Sequence, residues 1–332
     1  MNSDNRKRIF PGIDVLKFIL AILIVAGHCL LFEEHSVISV FQNRLNSVAV
    51  PIFFAISAYL FFRKIISIPT VSETKSVLLH TVKRLLILFV CWYVLMLPMT
   101  WFKFYSVATL KEILFAIAFS CTFNGYWFIK GLLINTIIVY LCRRKRALII
   151  CSLLALFVHF YCSYNYIFVY NSQLLELHPY YSFYYHTIYF CVGALLARYQ
   201  NLLFFERWPA KGLAFVWICL YLLCYFDVVD PLFRLFSILL IFPVFYRMKG
   251  GNSSLCKDLR NMSIILYMVQ FVLIWLYDMG CKTWLDESSV AFSILQYSVT
   301  RFVVVLSLAS VIALLIIKNE HRPHWSILKY LH

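Results

Sequence analysis

A chain of 332 residues that is 63% hydrophobic and only 14% charged holds too much apolar surface for a water-soluble fold, where about 45–50% apolar and about 25% charged are usual. Its net charge of +15 suggests nucleic acid until the basic residues are located. They sit in short clusters between apolar runs, as in loops that anchor a membrane protein, so nucleic acid is excluded as a partner.

The first apolar run, 10–32, is too long for the core of a signal peptide and is expected to stay in the protein. Nine more follow at 46–62, 79–101, 125–142, 147–164, 182–198, 211–227, 231–247, 261–278 and 291–317. Each is long enough, or nearly so, to form a helix across a bilayer, which needs about 20 apolar residues. The stretch 108–121 is too short to span and is expected to be re-entrant or interfacial. There is no long Gly/Ser/Pro linker and no internal repeat. The expected fold is therefore all-α: one membrane-embedded domain over 1–332, with ten transmembrane helices and short tails at 1–9 and 318–332.

Charge tests this count independently. With the N-terminus inside, the cytoplasmic segments collect Arg6–Arg8, then Arg63, Lys64, Lys75, Lys83 and Arg84, then Arg143–Arg146, and later clusters that include the loop cation Arg260 and end at Lys318, Arg322 and Lys329. The outer segments keep Arg44, Lys103, Lys111, Arg234 and Lys282, together with acids such as Glu33, Glu176, Asp227, Asp230 and Asp278. This asymmetry places both termini in the cytoplasm. Most of the 11 cysteines lie within apolar runs (Cys29, Cys91, Cys142, Cys151, Cys191, Cys219, Cys224) and none forms a C-x-x-C pair. They read as small buried apolar residues rather than a disulfide framework.

Polar groups inside spans are expensive, and each is a functional candidate. The first run holds Asp14, Lys17 and His28. At about 3.6 residues per turn, His28 returns to nearly the face of Lys17 roughly 16.5 Å further along the axis. Asp14 lies close to the same face. The competing reading is a structural one: Asp14 and Lys17 paired at the interface, and His28 bonded to a neighbouring helix.

The stretch R-I-F-P-G-I-D-V-L-K with its later His28, followed by V-P-I-F-F-A-I-S-A-Y-L-F at Val50–Phe61, resembles the acyltransferase 3 family of bacterial membrane acyltransferases. Arg8, Asp14, Lys17 and His28 match that family's first-helix element, with Lys17 where Arg is usual. Phe53, Phe54, Ser57 and Tyr59 match its second, with Ala58 where Gly is common. Lys83-Arg84, the aromatic start Tyr126-Trp127-Phe128-Ile129, and Ser263 with Tyr267 match later elements, although Gln270 stands where the family carries a histidine.

The resemblance implies an O-acyltransferase of the bacterial inner membrane. It would move an acyl group, typically acetyl, from acyl-CoA to a hydroxyl of a polysaccharide or its lipid-linked precursor. The same resemblance implies His28 as the catalytic group, either general base or covalent acyl carrier, and Lys17, Lys83 and Arg84 as holders of the donor. Asp14, Ser57 and Trp127 support the site, and Lys130, Tyr184 and Arg301 are candidates along the acceptor path. Acyl-CoA is a co-substrate rather than a tightly bound cofactor, the glycan acceptor and membrane lipid are the remaining partners, and no metal spacing is present. The tyrosines at 161, 164, 166, 170, 180, 181, 184, 185 and 189 read either as a sugar platform or as an interfacial aromatic belt, with His178 and His186 as interfacial polar residues. The rival reading is a secondary transporter or glycan-lipid flippase. Such proteins favour paired repeats and broken helices, and this chain has 9 Gly, 9 Pro and no repeat.

Overall fold

The computed structural model describes residues 10–33, 36–101, 106, 108–115, 126–165, 182–199, 209–223, 230–248, 253–284 and 288–319. These residues form helices and connecting turns, without a strand. In chain order the helices are α1 (Pro11–His28), α2 (Ser36–Ser47), α3 (Ala49–Ile66), α4 (Val71–Thr100), α5 (Leu110–Phe115), α6 (Tyr126–Leu141) and α7 (Lys145–Asn165). They continue with α8 (Phe183–Arg198), α9 (Ala210–Leu223), α10 (Asp230–Tyr246), α11 (Ser253–Trp284), α12 (Val290–Gln296) and α13 (Ser298–Asn319). Every one of the ten apolar runs holds a helix.

Six segments are long and apolar enough to cross a membrane: Pro11–His28, Val37–Ile66, Val71–Thr100, Lys145–Tyr164, Ser254–Trp284 and Ser298–Asn319. Trp127–Leu141 and Ala210–Leu223 are apolar but shorter. In 108–121, α5 is only six residues long, and the part beyond 115 lies outside the described residues. So do residues 1–9 and 320–332, Tyr166, Tyr170, Tyr180, Tyr181 and His178.

The helices fall into two compact units, one formed by residues 1–8 and 51–210, the other by 9–50 and 211–332. In the first, α8 is central. Tyr185, His186, Tyr189, Phe190, Cys191 and Ala194 are all buried, so it is apolar and enclosed on nearly every side. Gly193 lets it approach α3 closely, because a Cβ there would fall 2.1 Å from the Ala55 carbonyl oxygen. By contrast, α7 presents Ile149, Ile150, Leu153, Leu154, Phe157, Tyr161 and Tyr164 outward. They recur every three or four residues, an apolar stripe of the kind lipid covers.

The second unit is built on α1, α11 and α13. Pro11 opens α1 at its first position, where its missing N–H costs nothing. Asp14 meets Arg260 and His28 meets Phe271, so α1 and α11 run in the same direction. Arg301 near the start of α13 meets Asp278 near the end of α11, so α13 runs back. Its inner face is made of Val305, Ala309 and Ala313, all fully buried; small side chains spaced by four let helix backbones pack closely. Val25, Cys29 and Val305 form a shared core with Leu273, Ile274, Phe302 and Leu306 against it.

Candidate functional site

The α1–α11 pair of the second unit carries Asp14, Lys17, His28, Ser263, Tyr267 and Gln270. At the start of α1, Asp14 is buried and its Oδ2 lies 3.9 Å from Arg260 Nη1. The positive charges of Arg260 and Lys17 both act on it. Asp14 therefore has two cationic partners, one of which, Arg260, the sequence offered only as a loop cation. Further along α11, Ser263, Tyr267 and Gln270 are buried. Gln270 donates from Nε2 to the Tyr267 carbonyl at 2.9 Å, and its Oε1 is buried without a partner.

His28 is the last residue of α1. Its ring meets Phe271 edge-on, with centroids 4.7 Å apart at 61°. More than a third of the residue surface is accessible, so the side chain is not packed in the core. Neither ring nitrogen is hydrogen-bonded to another described residue.

The chain leaves α1 through a turn in which Leu30 and Phe32 have φ of 54° and 64°. For non-glycine residues that is the sparsely populated left-handed region, and such strain persists only where the surroundings enforce it. Here the enforcement comes from α13: Phe32 N donates to Ser298 Oγ at 3.0 Å. Cys29 is fully buried and feels the charges of Arg301 and Asp278. Arg301, a candidate along the acceptor path, donates from Nη2 to Asp278 Oδ2 at 2.5 Å. The ion pair thus stands at the same end of α1 as His28, and α1 is the element that links it to Asp14 and Lys17.

The first unit holds the other candidates. Lys83 and Arg84 lie on the exposed side of α4, while Ser57 on α3 and Lys130 on α6 are half-buried. Trp127 stacks on His186 at 5.0 Å, and His186 stacks on Phe54 at 5.0 Å with parallel planes. His186 is fully buried within this three-ring stack, which no residue-by-residue reading reveals. His159, also fully buried, lies 3.4 Å through Nε2 from the Tyr189 hydroxyl. Tyr184 lines an apolar groove of about 480 Å³ with Cys142, Cys151, Leu154 and Thr187. Cys151 and Cys191 stand 3.8 Å apart through sulfur, as packed thiols. Among the described residues no group of His, Cys, Asp and Glu is arranged to hold a metal ion.

A family model described as an acyltransferase domain matches residues 10–330. No curated protein and no solved structure matches the chain.

Proposed function

Because the chain belongs to the acyltransferase 3 family, we propose that it is a membrane O-acyltransferase that transfers an acyl group, acetyl in the simplest case, from acyl-CoA to a glycan hydroxyl. The acceptor is a surface polysaccharide or its lipid-linked precursor, and the membrane is the bacterial inner membrane. The observation that carries this reading is His28: accessible, with neither ring nitrogen hydrogen-bonded to a described residue, at the end of the helix that also holds Asp14 and Lys17.

Transfer from a thioester to a hydroxyl requires a base for the hydroxyl proton, and a neutral imidazole supplies one. Lys17, Lys83 and Arg84 are cations suited to the phosphates of coenzyme A. Lys17 and His28 are separated along α1 by roughly 16.5 Å, a gap for the extended pantetheine arm to span. Ten spans with both termini cytoplasmic put Lys17 on the donor side. The parallel course of α1 and α11, with α13 returning, supports that arrangement. The resident cations and the lone imidazole also suit a transporter, but no observation here favours one.

Two measurements test the reading. Mass spectrometry of the cell-surface glycan with and without the gene should differ by the mass of one acyl group; identical glycans would overturn the acyltransferase assignment. Membrane vesicles address donor binding and sidedness together. Inside-out vesicles should transfer label from acyl-CoA, sealed right-side-out vesicles should not, and Arg84→Ala or Lys17→Ala should raise the KM for acyl-CoA by about tenfold, about 1.4 kcal/mol of lost binding. Unchanged KM in both variants places the nucleotide elsewhere.

A further inference from the structure

A base accounts for the hydroxyl proton, but the negative charge that develops on the thioester oxygen also needs a donor. We infer that Asn46 supplies it: its carboxamide N–H, held beside the last turn of α1 next to His28, stabilises the oxyanion formed at the acyl carbonyl. This deepens the acyltransferase reading and rests on it.

Three observations carry the inference. First, Asn46 on α2 packs against Gly27, the residue before His28. A Cβ on Gly27 would lie 3.1 Å from Asn46 Nδ2, so glycine is what lets the amide come this close. Consecutive residues point to adjacent faces of a helix, about 100° apart, and the amide and the imidazole therefore flank one edge of the helix end. Second, the amide is oriented. Gln42 Nε2 donates to Asn46 Oδ1 at 2.9 Å, which occupies the acceptor end and leaves the N–H end for another group. Third, among the described residues that end has no partner: Asn46 Nδ2 is buried without a hydrogen bond. Leaving a buried donor unpaired is unfavourable, and the loss is recovered when an acceptor oxygen arrives.

The step balances as follows. The acceptor hydroxyl oxygen bonds to the acyl carbon while its proton passes to His28. The carbonyl electron pair moves onto oxygen, where Asn46 N–H receives the charge. On collapse the C–S bond breaks, the electron pair leaves with sulfur, and the proton held by His28 goes to the thiolate, giving free coenzyme A and the ester.

Steady-state kinetics of the purified full chain in detergent or nanodiscs, with acetyl-CoA as donor, test the role. Asn46→Ala should lower kcat by about 10²–10³-fold, the usual loss for one oxyanion donor, with KM for acetyl-CoA and acceptor within about threefold of wild type. Asn46→Asp, nearly the same size but without the N–H, should lose as much, which keeps the test valid if the alanine variant folds poorly. Combining Asn46→Ala with His28→Gln should cost little beyond His28→Gln alone, because groups acting on one transition state are not additive. Near-wild-type kcat in Asn46→Asp, or a raised KM with kcat intact, overturns the inference while leaving the acyltransferase reading standing. A wild-type protein that transfers no acyl group to any glycan sinks that reading, and this role with it.

Discussion

Replacing His28 with Ala should lower acyl transfer by about 10²–10⁴-fold, the usual worth of a general base, while the protein remains folded and membrane-inserted. The folding half of that statement follows from the structure. His28 ends its helix, keeps over a third of its surface accessible, and holds no other described residue by hydrogen bond. Its loss therefore removes one edge-on contact with Phe271, worth about 0.5–1.5 kcal/mol for an aromatic pair. His28→Gln keeps hydrogen-bonding capacity without accepting a proton at neutral pH, so it should rescue little. Incubating wild type with labelled acyl-CoA in the absence of acceptor separates the two chemical roles: stable label on the protein that disappears in His28→Ala means a covalent acyl-histidine, and no label means a base. If His28→Gln keeps near-wild-type transfer, the catalytic role fails.

Gly193→Ala should be among the most destabilising small substitutions in the protein. The new Cβ would meet the Ala55 carbonyl oxygen at 2.1 Å and the Ala58 Cβ at 2.8 Å. Ala55 and Ala58 are fully buried in α3, and the nearest obstacle is backbone rather than the end of a flexible side chain. Relief requires α3 and α8 to separate, and overpacking of this kind costs about 1–3 kcal/mol or more. Gly280→Ala is the matched control. It lies inside α11 with nothing within 4 Å of the added Cβ, so alanine should be neutral or stabilising by about 0.5–1 kcal/mol. Thermal unfolding in detergent, read by loss of the monodisperse peak on size exclusion, should rank Gly193→Ala well below wild type and Gly280→Ala at or above it. Equal melting of Gly193→Ala and wild type would contradict the close approach.

What the sequence determined by itself was the set of properties that depend on local composition and period. Ten apolar runs lead to helices in all ten places, because a backbone in lipid satisfies its own polar groups only within a helix or a closed barrel. The resemblance to the family, and with it His28 as the implied catalytic residue, was legible from the motifs of the first run and of Val50–Phe61, while spacing alone showed that Asp14, Lys17 and His28 share a face. Span lengths were less legible. Hydropathy averages over a window and does not locate where a helix ends: α4 begins at Val71, ahead of its apolar run at 79.

Only the tertiary structure decided which groups meet across helices. Arg260 stands in sequence as a loop cation, and Asp278 as an outer acid, yet the fold brings one to Asp14 and the other to Arg301. Nothing in the chain marks Phe271 as the wall beside His28, Asn46 as the amide at Gly27, or His186 as a ring enclosed between Trp127 and Phe54. The physical reason is separation: these partners come from helices as many as 246 positions apart in the case of Asp14 and Arg260. Helical periodicity fixes the face a residue occupies, whereas the packing of one helix on another fixes what that face meets.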